Sequence, residues 1–202
     1  MFDLGKKELK ILKALNTPGK IQDFLNQLPN NREEDGDSFL SPMSVLEKKF
    51  CHCTEGAILA ALALRLQGEP PLVMDLMANK HDFDHVVTLF KRYGKWGAIS
   101  KTNHSVLRYR EPIYSSIHEL AISYFHEYFD KQGRKNLRSY SLPVNLKRFD
   151  KLGWMTSKND IYYIPEYLAE VKHYPLLSHK QIRNLRRADA IEIEVGEIVE
   201  WK

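Results

Sequence analysis

The segment from Cys53 to Leu66 constrains this chain most, because after Gly56 it consists almost entirely of Ala, Ile and Leu. That composition predicts one long apolar helix that stops at Gly68. The helix would begin at a thiol. Unpaired N–H groups and partial positive charge at a helix start favour an anion, so the pKa of a cysteine there can fall well below its reference of about 8.5. The segment therefore predicts a long apolar helix with an activated thiol at its start.

The composition is that of an ordinary globular protein. The chain has 202 residues, of which 43% are hydrophobic and 28% charged. This length favours one structural domain, with residues 1–130 as its core and 131–202 as a C-terminal extension packed on that core. The net charge of +4 is small and spread along the chain, so we do not expect a nucleic-acid partner. No apolar run of 18 or more residues and no signal peptide is present, so we expect a cytoplasmic protein without a membrane partner.

The only two cysteines are Cys51 and Cys53. A disulfide between them would close almost no loop, which leaves thiol chemistry or metal binding. His81 and His85 could complete a zinc site with the two thiols. Structural zinc sites, however, place two or more residues between paired cysteines, and a helix starting at Cys53 turns the thiols apart. We therefore expect neither a metal nor another cofactor.

Elements predicted along the rest of the chain alternate between helices and short strands. The hairpin connection at residues 92–95 joins two of the strands. This order predicts an α+β fold, in which N-terminal helices and the Cys-bearing helix pack on an antiparallel sheet. Helices are predicted at 6–15, 18–28, 42–46, 115–129, 165–172 and 178–187, strands at 72–76, 84–91 and 96–100, and an apolar alternation follows at 191–195.

A nucleophilic thiol needs a base, a group that orients the base, and donors for the oxyanion. His85 opens the predicted strand 84–91, which would hold its imidazole on a rigid element. The backbone N–H of Cys53 is a candidate oxyanion donor. Cys53 and His85 are therefore the predicted nucleophile and base.

These residues also carry a family resemblance. Cys53-Thr54-Glu55-Gly56-Ala57 leads the helix, His85 opens a strand, and Trp96 lies in the next strand. Over residues 40–105, about a third of the chain, the pattern resembles the transglutaminase-like superfamily with its papain-type Cys, His, Asp core, including bacterial members of unassigned activity. The resemblance implies thiol-dependent acyl transfer or hydrolysis on a protein, peptide or amide substrate, with Trp96 lining the site.

The third catalytic residue is where this sequence departs from the family, because Ser100 stands where the Asp is expected. If the hairpin turn is centred between Tyr93 and Gly94, His85 lies opposite Thr102, with Ser100 diagonal on the same face. A bulge would instead place Asn103 opposite His85 and give a Cys, His, Asn set. Asn103 is slightly favoured, Ser100 is the alternative, and Thr102 is expected to line the site.

The missing carboxylate leaves a second hypothesis open. A hydroxyl or amide fixes the tautomer of a histidine but does not offset its charge, and loss of the charge in a serine triad costs on the order of 10⁴ in rate. The chain could therefore be a binding or scaffold protein that kept the fold and lost the activity.

Overall fold

The computed structural model describes residues 4–32 and 38–200. Within these ranges the helices are α1 (Lys6–Ala14), α2 (Pro18–Gln27), α3 (Pro42–Lys48), α4 (Cys53–Leu66), α5 (Ile117–Ile122), α6 (Tyr163–Glu170), α7 (His179–Arg183) and α8 (Ala190–Gly196). The strands are β1 (Leu72–Ala78), β2 (His85–Arg92), β3 (Lys95–Ile99), β4 (Arg110–Tyr114), β5 (Leu137–Ser141), β6 (Val144–Asn145) and β7 (His173–Pro175). Short 3₁₀ turns cover Phe125–Glu127 and Leu146–Leu152. None of these helices is long and apolar enough to cross a membrane.

The strands form one antiparallel sheet in the order β4-β3-β2-β1-β5-β7, and β6 also pairs with β1. Residues beyond 131 therefore supply strands to the same sheet as the predicted hairpin. The α+β class predicted from the sequence is confirmed.

Each face of the sheet carries its own apolar cluster. On one face α4 lies against β2 together with the N-terminal helices, and every residue from 54 to 64 of α4 is buried. On the other face α5 and the aromatic residues after it cover the strands. A helix without a polar face has to be enclosed on all sides, which explains why α1, α2, α3 and the sheet pack around α4, with α6 in the same apolar cluster.

Three predicted elements differ from the structure. The helix predicted at 115–129 stops at Ile122, because the Ser123 hydroxyl donates to the carbonyl of Leu120 and a 3₁₀ turn follows. The helix predicted at 178–187 ends at Arg183. The alternation at 191–195 lies in α8, whose start Asp189 and Glu192 cap.

Several elements begin or finish at the same end of the sheet. Because neighbouring strands are antiparallel, β1 and β3 finish at the end where β2 begins. Helix α4 precedes β1 and runs the opposite way, so its first turn lies at that end too. This topology places Cys53 near His85, although 32 positions separate them in the chain.

Candidate active site

The first turn of α4 is held by a buried capping box. His52 is the N-cap, and its Nδ1 accepts the Thr54 N–H at 3.2 Å. The Glu55 carboxylate, fully buried, accepts the backbone N–H of His52 at 2.9 Å and that of Leu40 at 2.8 Å. The backbone N–H of Cys53 makes no hydrogen bond to any described residue. The turn is thus rigid, and one N–H donor is left beside the thiol.

His85 is oriented by Ser100. Its Nε2 lies 2.8 Å from the Ser100 hydroxyl, and both side chains are buried. The Ser100 Oγ also lies 2.5 Å from the carbonyl oxygen of Leu107, to which it must donate. A hydroxyl has one proton, so toward His85 the Oγ can only accept. Nε2 therefore carries a hydrogen, and Nδ1 is the ring nitrogen left for Cys53.

The hairpin register decides between the two candidates for the third residue. Thr88 pairs with Ile99 and Arg92 with Lys95, so the turn is centred between Tyr93 and Gly94. The bulge that would have brought Asn103 opposite His85 is absent from this hairpin, and Ser100 provides the contact to the ring. The strand pairing keeps its regular register to Ile99, so Ser100 and not the favoured Asn103 contacts the His85 ring.

Ser100 is fixed by groups from outside the hairpin. Gln22 of α2 donates through Nε2 to the Ser100 carbonyl at 2.8 Å and accepts the Ser100 N–H through Oε1 at 2.9 Å. Leu107, which accepts the Ser100 hydroxyl proton, has a positive φ of 59° and donates its N–H to Glu127 at 2.9 Å. Glu127 in turn pairs with Arg110 at 2.7 Å. Strained backbone of this kind persists only where its surroundings over-determine it.

The surroundings of Cys53 favour its thiolate form. Burial alone would raise its pKa, but hydrogen bonds and charge from His52 and His85 hold the pKa of Cys53 well below its usual range. Burial acts to lower the pKa of His52, but its hydrogen bond to Cys53 and the charge of the Glu55 carboxylate raise that pKa to about 9. A protonated Nδ1 cannot accept the Thr54 N–H, so His52 either caps α4 as a neutral ring or donates to Sγ as a cation.

The neighbouring thiol has the opposite environment. Burial raises the pKa of Cys51 to about 12, although the Lys101 ammonium acts to lower it. The Lys101 stem passes so close to Gly56 that a Cβ there would lie 2.5 Å from the Lys101 Cβ. Lys101 is itself buried and donates to the Leu28 carbonyl at 2.7 Å. Cys51 is therefore a core residue behind the site.

Cys53 opens onto a cleft of about 780 Å³. Thr102 and Asn103 line this cleft, as does His85. Trp96 does not line it, contrary to the expectation, because it pairs with Lys91 beside the hairpin turn, at the end of β2 away from His85. Asp82, Asp84, Asp130 and Lys131 also line the cleft.

The zinc hypothesis is not supported by the arrangement of its ligands. In residues 4–32 and 38–200, no group of three or more His, Cys, Asp or Glu side chains is placed to hold a metal ion. Cys51 faces the core and His81 is exposed, so these two do not converge with Cys53 and His85.

Several residues that build the site were missed from the sequence. Glu55 had a partial signal, since Glu at the third position of a helix is typical of a capping box, but His52 is not among the residues that usually cap a helix. Gln22 and Leu107 had none, because their roles depend on contacts between distant parts of the chain.

Comparisons with known proteins give only a distant fold likeness. No family model matches the chain, and no curated protein matches it. Among solved structures, Legionella pneumophila LapG overlaps 47% of this chain at 18% identity and a TM-score of 0.35; the chain spans 59% of that protein's length. EGTA-treated LapG overlaps 73% of this chain and 81% of its own, at 16% identity and a TM-score of 0.40.

Proposed function

We propose that this protein is a thiol-dependent enzyme of transglutaminase-like type that hydrolyses an amide or peptide, or transfers its acyl group. The observation that carries the proposal is the single proton of Ser100. Because that proton is committed to Leu107, His85 keeps a hydrogen on Nε2 and presents Nδ1 to Cys53. This is the tautomer that a general base for a thiol requires.

The reaction follows from the positions of these groups. The Cys53 thiolate attacks the acyl carbon, an S–C bond forms, and the carbonyl electrons move to oxygen, where the Cys53 N–H can donate. His85, protonated at Nδ1, gives that proton to the departing amine as the C–N bond breaks. Water or an acceptor amine then attacks the thioester, loses a proton to His85, and the C–S bond breaks.

The pH dependence of alkylation tests the proposal, and Cys51 serves as an internal control. We expect iodoacetamide to modify Cys53 with an inflection clearly below pH 8, because the two imidazoles stabilise the thiolate. Cys51 should remain unmodified below pH 9, because it is buried and its pKa is raised to about 12. Mass mapping of the alkylated residue separates the two thiols.

Cys53→Ala should abolish this modification, whereas Cys51→Ala should leave its rate within about 2-fold. An inflection for Cys53 at or above its reference of about 8.5 would contradict the enzyme proposal. That outcome would favour the second candidate, a binding protein that kept the fold. The specific observation on its side is the neutral hydroxyl of Ser100 in place of a carboxylate.

A further inference from the structure

One wall of the cleft is formed by a segment from the far end of the described chain. Ile193, Gly196 and Glu197 line the cleft that contains Cys53. Residues 197–200, here called the strap, then continue along the loop at 103–105. The strap lies outside the groups that hold Cys53, His85 and Ser100.

The strap is joined to the loop by main-chain pairing. The N–H of Glu200 donates to the Asn103 carbonyl at 2.8 Å, and the N–H of Ser105 donates to the Ile198 carbonyl at 3.0 Å. His104 and Val199 form the antiparallel bridge between these two bonds. Main-chain bonds of this kind are available to any extended peptide, whatever its side chains.

One side-chain contact adds selectivity. Arg108 Nη2 lies 3.0 Å from Glu200 Oε1, and each side chain is about a third exposed. A negative side chain is therefore favoured at the position that faces Arg108. An ion pair this exposed binds weakly, which allows the strap to be displaced.

We infer that the loop at 103–105 is a peptide-binding edge. The strap, a segment of the same chain, occupies this edge in the place of an extended peptide that carries an acidic residue opposite Arg108. The edge begins three residues after Ser100, so a peptide paired with it runs beside Cys53. The claim that such a peptide is the substrate rests on the proposed function, whereas the claim that it binds does not.

Binding is measured with a fluorescein-labelled synthetic peptide of residues 195–202, followed by anisotropy in the full-length Cys53→Ala protein so that no chemistry intervenes. Glu200→Pro removes the N–H that donates to Asn103 and weakens the strap. We expect this variant to bind the peptide at least 5-fold more tightly than protein with the unaltered strap. The control Glu194→Lys, on the exposed side of α8, should leave the affinity unchanged.

The recognition of the acidic residue is tested in the peptide itself. A peptide with Lys at the position of Glu200 should bind Glu200→Pro protein about 10-fold more weakly, and Arg108→Glu should reverse that preference. Amide exchange at Ser105 should quicken in Glu200→Pro protein and slow again with peptide, which also reports that the variant is folded.

Equal or absent peptide binding in both proteins overturns the inference. If Cys53 is activated but no peptide binds, the peptide edge alone is wrong. If peptide binds but the thiol has an ordinary pKa, the edge stands and the proposed enzymatic function fails.

Discussion

Cys51 and Cys53 are two residues apart and differ in almost every physical respect. Cys51 is fully buried, and burial raises its pKa to about 12. Cys53 starts a helix and contacts two imidazoles that hold its pKa well below the usual range. The difference shows that reactivity depends on which partners the fold delivers to a thiol. Proximity in sequence gives no measure of it.

Replacing the base should bring Cys53 closest to an ordinary thiol. His85→Asn removes one of its two imidazole partners, so the pKa of Cys53 should rise toward its reference of about 8.5. At pH 6.5 we expect about 100-fold slower alkylation, following the loss of thiolate. The exposed His81→Asn is the matched control and should behave like wild type. An unchanged rate in His85→Asn would mean that His52 and the helix start suffice.

Removing the orienting hydroxyl should have a smaller effect. Ser100→Ala leaves the His85 Nε2–H and the Leu107 carbonyl without their shared partner, so the ring loses its fixed tautomer. We expect amidase or acyl-transfer turnover to fall about 10-fold, with alkylation at high pH little changed.

A carboxylate in place of the Ser100 hydroxyl should not raise turnover. In Ser100→Asp the side chain would bring a second acceptor against the Leu107 carbonyl, where the serine now donates. A Ser100→Asp enzyme more active than wild type would show that charge behind His85 outweighs this contact.

The two hydrogen bonds from Gln22 of α2 to the Ser100 backbone should affect the stability of the fold more than the reactivity of Cys53. Gln22→Met removes both bonds to the buried Ser100 backbone, and an unsatisfied buried polar group costs about 1–3 kcal/mol. We expect the free energy of unfolding to fall by about 2 kcal/mol and turnover to fall a few-fold. Gln27→Met, on the exposed side of the same helix, should change neither in urea titrations and kinetic assays.

A separate pair sets a pH response of the fold that must be distinguished from that of Cys53. His173 Nε2 lies 2.9 Å from the Asp75 carboxylate, and its Nδ1 lies 2.8 Å from the Val171 carbonyl. The bond to Asp75 raises the pKa of His173, and burial raises the pKa of Asp75. A raised folded-state pKa stabilises fully below the unfolded value, about 6.5 for histidine, and this stabilisation is lost as pH rises through the folded pKa.

His173→Asn should therefore lower Tm most at pH 6 and least at pH 9. The exposed His179→Asn should show no such trend in thermal melts across the same range. If the Tm difference between wild type and His173→Asn does not shrink with rising pH, Asp75 does not raise the pKa of His173 in the folded protein.

The sequence predicted the elements around the thiol well because their signals are local. Apolar composition predicted α4, the Ser41-Pro42 start predicted α3, and the turn at Tyr93-Gly94 predicted the β2–β3 hairpin. The later strands were not predicted: β4 contains charged residues and Pro112, and β7 has only three residues. Their pairing depends on partners far away in the chain.

The site was predicted in part for the same reason. Cys53 and His85 carry a spacing pattern that a single sequence reveals. The choice between Ser100 and Asn103 depended on a one-residue register shift, and only the paired strands fix such a shift. Trp96 was misplaced because a resemblance of pattern says nothing about which end of a strand faces the cleft.

The hydrogen bonds between Gln22 and Ser100 also affect the order in which the parts of the chain fold. They join positions 78 residues apart, so they close a long loop whose entropy must be lost before the contact forms. A chain leaving the ribosome would have α2 early but could not orient His85 until β3 had emerged and docked. The orientation of His85 would then be among the last features that this protein acquires as it folds.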